Sequence, residues 1–422
     1  MILAVEMASL PGQGCQCWSV YLLWRPTHTE IPMSASESNL FPLVGLQAVA
    51  NAHNEWVAVT LHVPQASTAP LLAALAAADA YAFLAPLDCI IPLADPHGVD
   101  EAVLAQLAPQ RTIFRLPAQL AGDKQLQKKC RQWRDAGYRI LLDGADAGPV
   151  AAAQVDARAL SFDAAGARPA LHQLLPLPGP HLAYNIGDAG QLAALQEIGV
   201  SWFAGDYALR HARQQSEPED ATSRRRLLAL LGLLARDADA HELEVPLKQD
   251  PSLSYHLLKL VNSAAFGFTA PITSFSQAIT LLGRRQLQRW LQLLLYARQQ
   301  DDGKIHALLP LAAVRAAQME ALCQLRGGDR DAQDLAFMAG VFSLLDVLLG
   351  MPMEEIIATL NLAPEVNDAL LERNGELGTL LALVESATPP PEGLRRAGID
   401  GETYWRSLLQ AYQWAIQVSR NL

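Results

Sequence analysis

The chain has 422 residues, of which 51% are hydrophobic and 18% charged, and its formal net charge is −11 at pH 7. This length predicts two domains with separate cores, and the composition is typical of a globular rather than a disordered protein. The acidic balance argues against broad binding to nucleic acid or to anionic membranes. The five cysteines are an odd number and widely scattered, which argues against a disulfide framework and for a reducing compartment.

No uninterrupted apolar run reaches the ~20 residues that a membrane span needs. The best candidate, residues 227–235, is far too short. The N-terminus has no cationic region ahead of an apolar one, so no secretory signal is predicted. Together these observations predict a cytoplasmic protein.

Short β-rich runs alternate with Ala/Leu/Gln-rich helical runs through the first half of the chain. This alternation predicts βα units arranged around a parallel sheet. The strand count is near eight, which fits a TIM-like (β/α)8 barrel, a fold that typically needs ~200 to 250 residues. The predicted strands are residues 19–24, 56–63, a run within 80–92, 112–116, 138–143, 159–163, 181–185 and 202–204.

The composition changes at about residue 205, where the polar and charged stretch GDYALRHARQQSEPEDATSRRR begins. Beyond this stretch no run of residues has the pattern of a β-strand, and Leu-rich helical patterns continue to Leu422. The sequence therefore predicts a barrel over residues 1–210, a linker over 211–226 and an all-helical domain over 227–422.

The most informative part of the helical half contains the runs DPSLSYHLLKLVNSAAFG and ITSFSQAITLLG. Asp250 followed by Pro251 predicts a helix start, because Asp caps free amides and Pro lacks an N–H that would have no partner there. This helix is expected to end near Asn262. Ser274 and Gln277 then have the spacing of a capping box for the next helix. Apolar stripes at helical spacing complete a compact helical core.

These residues resemble the signature of the HDOD domain, an all-helical signalling module related to the HD and HD-GYP phosphohydrolases. The resemblance implies a fold of helices from about residue 217 to the C-terminus. The family's pattern positions are occupied by Asp250, Pro251, Leu253, Leu257, Leu258, Asn262, Ser263, Phe266, Gly267, Ser274, Gln277, Ala278, Leu282 and Gly283.

The first half of the chain is similar to the EAL-type cyclic di-GMP phosphodiesterase barrel. The segments that carry this resemblance are VYLLWR at 20–25, GYRILLDG at 137–144, ALSFD at 159–163 and GVSWFAGDYA at 199–208. The resemblance implies hydrolysis by carboxylates and an Asn that hold divalent cations, together with a base for the attacking water. Where the family carries its metal ligands, catalytic Lys and Gln, this sequence has Tyr21, Leu61, Gly144, Ser161, Gly187 and Ala204.

Asp143 keeps one of that family's paired aspartates, and together with Asp163 it is a candidate for a residual metal pair. The alternative is that both are polar residues at strand ends that bond to nearby loops. The helical half lacks the adjacent His-Asp pair of the HD enzymes: none of the ten histidines is followed by Asp, and Ser343 and Leu344 stand in its place. The sequence therefore predicts no enzyme activity, no catalytic residue and no cofactor.

The predicted function is a catalytically inactive signal-transduction adaptor in a cyclic di-GMP network, acting by protein–protein interaction through both domains. Its expected partners are a diguanylate cyclase, a phosphodiesterase or a sensor kinase. One alternative is a metal-free sensor that binds cyclic di-GMP in the barrel mouth, with Arg25 and Arg115 near the rim; another is a residual phosphodiesterase. The basic residues Arg284, Arg285 and Arg289 are either a solvated helix face or contacts for an acidic protein or a nucleotide phosphate.

Overall fold

The structure is a computed structural model, and it describes residues 41, 43–62, 72, 75, 79–211, 229, 232, 233, 242, 284–294, 296, 306–360 and 362–421. All of these residues belong to one unit, Phe41–Leu422. The predicted HDOD signature between Asp250 and Gly283 lies outside the described residues, as do Tyr21 and Arg25. The domain boundaries at 210 and 226 stay predictions, because residues 212–228 are also outside that set.

Eight strands close into a barrel in which neighbours along the chain are also neighbours in the sheet. β1 is antiparallel to both β2 and β8, and the other pairs are parallel. The predicted TIM-like barrel is therefore confirmed. The strands are β1 (Gly45–Ala50), β2 (Trp56–His62), β3 (Asp88–Pro92), β4 (Thr112–Pro117), β5 (Arg139–Asp143), β6 (Ala159–Asp163), β7 (Leu182–Ile186) and β8 (Trp202–Gly205).

The first strand of the barrel differs from the prediction. β1 pairs with both β2 and β8, and so holds the place that was predicted for residues 19–24. The turn into β2 is built on Asn51, whose side-chain oxygen accepts hydrogen bonds from the amides of His53 and Glu55 at 2.8 and 3.1 Å. Asn54 completes the turn with a φ of 61°, a conformation that Asn tolerates better than most residues.

Two apolar cores follow from the alternation of side chains along the strands. The outward-facing residues join a continuous core that extends into the helices of the second half. Within it, the Phe114 and Trp133 rings lie 4.8 Å apart between β4 and a covering helix. The barrel interior holds a separate layer formed by Val49, Ala58, Ile90, Ile113, Leu141, Ala159, Leu182 and Ala204.

The described helices form two groups, one around the barrel and one after it. Around the barrel lie α1 (Ala80–Phe83), α2 (Glu101–Leu104), α3 (Lys124–Asp135), α4 (Pro149–Gln154), α5 (Leu171–Leu174), α6 (Ala189–Glu197) and α7 (Tyr207–His211). The second group, called the helical region below, comprises α8 (Arg284–Leu294), α9 (Leu308–Leu325), α10 (Arg330–Phe342), α11 (Leu345–Leu349), α12 (Met353–Leu360), α13 (Pro364–Glu372), α14 (Gly375–Val384), α15 (Pro391–Ala397) and α16 (Gly401–Asn421). The predicted fold class, a barrel followed by helices, is confirmed.

The helical region is organised around α9, which packs against α10 and α16. Gly340 of α10 allows the closest approach, because a Cβ there would stand 2.7 Å from the Cα of Ala316 on α9. The side chain of Asp329 caps α10 by accepting a hydrogen bond from the Ala332 amide at 2.9 Å. α11 ends at Gly350, whose φ of 62° is the usual helix-terminating conformation.

The barrel and the helical region touch along β1. The hydroxyl of Tyr412 on α16 donates a hydrogen bond to the Leu46 carbonyl at 2.9 Å, and the Tyr412 ring stacks on Trp56 with centroids 5.3 Å apart. At the start of the same strand, a side chain at Gly45 would collide with the backbone carbonyl of Ala387. Only glycine therefore permits this approach of the α14–α15 loop.

The stretch Arg330–Leu349 passes a test for membrane spans by length and composition, with a mean hydropathy of 1.6. It corresponds to α10 and α11, and 61% of its apolar window is buried inside the protein. The core helix of a non-membrane protein passes the same test, so this stretch is not a clear span. The cytoplasmic location stays a prediction.

Candidate functional site

The strand register identifies which side chains line the barrel at the carboxyl ends of its parallel strands. Residues two positions after the interior layer face the same way, because the side chains of a strand alternate. On β4, β5, β6 and β7 these residues are Arg115, Asp143, Ser161 and Tyr184. This end of a barrel is where ligands bind in such folds. We call it the mouth and define it by these four residues together with Gln47 and His62.

Asp143 lies at the centre of a hydrogen-bonded group in the mouth. The Ser161 hydroxyl donates to one of its carboxylate oxygens at 2.8 Å, and the Tyr184 hydroxyl donates to the other at 3.2 Å. Burial, followed by the charge of Asp143, raises the pKa of Tyr184 to about 12. The phenol is therefore neutral at ordinary pH and stays a donor to the carboxylate.

Arg115 covers the face of Tyr184. Its Cζ atom lies 4.5 Å from the centre of the tyrosine ring, which is a favourable cation–π distance. Among the described residues, the guanidinium group has no hydrogen-bond or ion-pair partner. The half-buried side chain therefore presents unused donors to the mouth.

The antiparallel strand β1 completes the mouth on the other side. Gln47 pairs with Thr60, and its side-chain oxygen lies 3.1 Å from Nε2 of His62. Because an amide oxygen only accepts, Nε2 carries the proton in this contact. Burial, with a smaller contribution from the positive charge of Arg115, lowers the pKa of His62. The imidazole is therefore neutral at pH 7.

The predicted residual metal pair consists of two carboxylates that already accept hydrogen bonds from protein donors. Asp143 has the two contacts given above. Asp163 accepts from the Ala165 amide at 2.8 Å and from the Asn185 side chain at 2.9 Å. No cluster of three or more His, Cys, Asp or Glu side chains in the described parts of the chain could hold a metal ion. Asp143 and Asp163 therefore do not match the set of metal ligands that the EAL resemblance implies, and a metal role for this pair stays a prediction.

One position assigned from the EAL resemblance, Leu61, differs from its expected place in the barrel. Leu61 was assigned to a metal-binding position, but it is fully buried in the outer core and faces away from the mouth. On β2 the inward-facing residues are its neighbours Thr60 and His62. Gly144 directly follows Asp143 with a φ of 152°, a conformation that favours glycine. Sequence reasoning missed Tyr184, Gln47 and His62 because only the register shows which strand residues face inward.

The predicted basic cluster at the start of α8 is engaged within the helical region. Arg285 forms an ion pair with Asp334 at 2.6 Å, and Arg289 contacts Glu320 at 2.5 Å and Asp334 at 2.9 Å. Arg284 begins the same helix. The proposed contact role of these arginines stays a prediction. Charge reversal at Arg285 or Arg289 would break internal ion pairs as well as any external contact.

Comparison with known proteins identifies the helical half. Residues 220–360 match the family model of the HDOD domain. Cyclic di-GMP phosphodiesterase CdgJ of Vibrio cholerae is 33% identical over 192 residues, which cover 44% of this chain and 43% of that protein. The uncharacterized protein YuxH of Bacillus subtilis is 32% identical over 174 residues, 40% of this chain and 42% of that protein. The chain thus spans less than half the length of these curated relatives.

A solved structure of a standalone versatile EAL protein from Vibrio cholerae O395, in its c-di-GMP bound form, is also similar. It is 14% identical with a TM-score of 0.32, over 40% of this chain and 92% of that chain. The barrel topology rests on the strand pairing described above rather than on this likeness. Together with the HDOD match at residues 220–360, the closed barrel confirms the predicted two-part architecture, a barrel followed by an HDOD domain.

The prediction that the chain is not an enzyme is wrong, because a curated relative carries the name of a cyclic di-GMP phosphodiesterase. That prediction relied on missing ligands at positions assigned by matching letters. One of these positions, Leu61, faces away from the mouth, and another, Tyr21, lies outside the described residues. Of the residues that line the mouth, the assignment therefore included only Asp143 and Ser161.

Proposed function

We propose that this chain is a cyclic di-GMP signalling protein and that the mouth of its barrel binds the dinucleotide. The observation that carries this proposal is the half-buried Arg115, stacked on Tyr184 with unused guanidinium donors. The relation to CdgJ supports cyclic di-GMP as the ligand, since the name of that protein specifies it.

The chemistry of the mouth is complementary to a guanine nucleotide. A planar guanidinium donates two parallel hydrogen bonds to a phosphate or to the O6 and N7 atoms of guanine. The Tyr184 ring provides a stacking face beside this donor edge. Asp143 has further acceptor capacity for the N–H groups of a guanine base, because a carboxylate offers about four lone-pair sites and two are in use.

Calorimetric titration of cyclic di-GMP into the full chain tests this proposal, once with EDTA and once with magnesium or manganese. Arg115→Met should weaken binding roughly 5- to 150-fold, since a bidentate arginine contact contributes about 1–3 kcal/mol. Arg131→Met is the matched control, because Arg131 lies exposed on the outer helix α3. Absence of binding to the wild-type chain, or equal affinity in the two variants, would refute a mouth site that uses Arg115.

The second candidate function is hydrolysis of cyclic di-GMP, which is favoured by the name of the relative CdgJ. Product formation would be followed with magnesium, with manganese and with EDTA. The described residues of the mouth include no cluster of His, Cys, Asp or Glu side chains that could hold a metal ion. Turnover that EDTA abolishes would establish this activity and require metal ligands beyond the described mouth. Binding without turnover under all three conditions would leave the chain as a receptor for the dinucleotide.

A further inference from the structure

A cavity of about 170 Å³ lies between the barrel and the helical region. It follows the seam between β1 and β8, which pair only at Ala50 and Phe203. The volume is well above the ~10–15 Å³ needed to hold one water molecule. Because its walls come from both parts of the chain, we call it the interdomain cavity.

The walls of the interdomain cavity are mostly apolar or aromatic. On the barrel side they include Ala48, Trp56 and Tyr207, and on the helical side Leu311 and Leu408. Such walls suit the body of a small organic molecule, which recovers free energy by leaving water. The polar groups of the cavity then determine which functional group this molecule must carry.

Arg315 on α9 is the principal polar group of the cavity, and its side chain is only 15% exposed. Its Nη1 atom donates to the Ser343 hydroxyl at 2.9 Å, whereas Glu385 is 3.5 Å away, at the limit of a hydrogen bond. Within the described part of the chain, Nε and Nη2 of Arg315 donate to no residue. Arg315 therefore keeps one edge of its guanidinium group for a ligand.

The nearest carboxylate does not neutralise Arg315 well, because it is bound more tightly by another arginine. Arg373 donates to both oxygens of Glu385, at 2.8 and 2.7 Å. Two guanidinium groups thus share this carboxylate. Asp346 acts on Arg315 more weakly than Glu385 does, and Asp206 is an exposed residue at the rim.

A second donor lies close to Arg315. Gln318, one turn further along α9, is 1% exposed and also lines the cavity. Its amide nitrogen makes a long hydrogen bond of 3.5 Å to the Ser407 hydroxyl, and its side chain also hydrogen-bonds Tyr404. The unused edge of Arg315 is therefore the main donor that the cavity offers, and a ligand with anionic acceptor oxygens matches it.

We propose that the interdomain cavity binds a small organic anion, a carboxylate or phosphate group on an apolar or aromatic body, through the free edge of Arg315. This site differs from the mouth in its principal cation. Its ligand would contact residues of the barrel and of the helical region together. Binding would therefore stabilise their contact.

The test uses benzoate and phenyl phosphate as probes, with benzamide as the neutral control. Calorimetry and thermal unfolding of the full chain should show saturable binding of at least one anion with a Kd of about 1 mM or tighter. Benzamide should bind at least tenfold more weakly. Failure of both anions to bind, or binding of benzamide equal to theirs, would overturn the proposal.

Variants locate the site. Arg315→Met should weaken anion binding at least tenfold, whereas Arg326→Met, which alters an arginine at the C-terminal end of α9 that does not line the cavity, should leave it unchanged. Ala48→Leu keeps Arg315 but fills the cavity, and should also abolish binding. Unaltered binding in both Arg315→Met and Ala48→Leu would refute the site. Arg115→Met should leave anion binding unchanged, so that this proposal and the one for the mouth fail separately.

Discussion

Removal of one hydroxyl group should test the contact between the barrel and the helical region. Tyr412 is 5% exposed, and its hydroxyl donates to the Leu46 carbonyl at 2.9 Å. Tyr412→Phe keeps the ring and its stacking on Trp56, but leaves the buried carbonyl without this donor. An unsatisfied buried polar group costs about 1–3 kcal/mol. We expect the free energy of unfolding to fall by that amount.

The assay is urea unfolding of the full chain at neutral pH, followed by far-UV circular dichroism and by tryptophan fluorescence. Coincidence of the two transitions would show that a two-state free energy is defined. Tyr207→Phe is the matched control: Tyr207 is also buried beside β1, but its hydroxyl bonds to no described residue. Its effect should stay within about 0.5 kcal/mol, as for substitutions that remove no interaction.

Equal stability of Tyr412→Phe and Tyr207→Phe would refute the reasoning. Such a result would mean that water or another donor satisfies the Leu46 carbonyl once the hydroxyl is gone. A loss seen for Tyr412→Phe alone would show that this hydrogen bond holds α16 against β1.

Three further outcomes follow from shifted pKa values. Burial raises the pKa of Tyr207 and Tyr404 from 10 to about 12. Their contribution to the free energy of unfolding is therefore present below pH 10 and should be lost as the pH rises towards 12. Urea unfolding at a series of alkaline pH values measures this loss. The pKa of His62 is lowered from 6.5, so its contribution to the free energy of unfolding is present above pH 6.5 and lost as the pH falls. His62→Gln should therefore make the free energy of unfolding less dependent on pH below 6.5. An unchanged pH dependence would contradict a buried, neutral His62. Burial raises the pKa of Cys89 and Cys130 to about 12, so iodoacetamide at pH 8 should leave both unmodified in the folded chain and alkylate both in urea, as mapped by mass spectrometry.

Most of the barrel could be predicted from sequence because its strands are short β-rich runs between helical patterns. β1 was the exception. Its sequence GLQAVA is weakly patterned, and the turn that follows depends on the side chain of Asn51 rather than on the glycine pair that signals a hairpin. The more β-like run SVYLLW at residues 19–24 therefore gives the stronger sequence signal for a first strand.

The candidate site was predicted in part. Asp143 was implied by the EAL resemblance, and Arg115 was expected near the rim of the barrel mouth, at the carboxyl ends of the strands. Tyr184 belonged to a predicted strand but was not singled out, because its inward direction depends on the pairing of Asp163 with Tyr184 across β6 and β7. A shift of one residue reverses the face of every side chain on a strand, which is also why Leu61 was misassigned.

The arginines show why composition alone did not locate a binding surface. Arg111 gives its donors to the backbone carbonyls of Leu87 and Tyr81, at distances from 2.6 to 3.0 Å, and Arg289 is held by two carboxylates. These side chains stabilise the fold, although a sequence shows them only as positive charges. Arg115 differs because its guanidinium donors are not used by the described residues. A ligand gains most where a partly buried cation already lacks acceptors, since part of its desolvation has occurred during folding. This difference in donor use favours the mouth over the start of α8 as the place where the chain meets an anionic ligand.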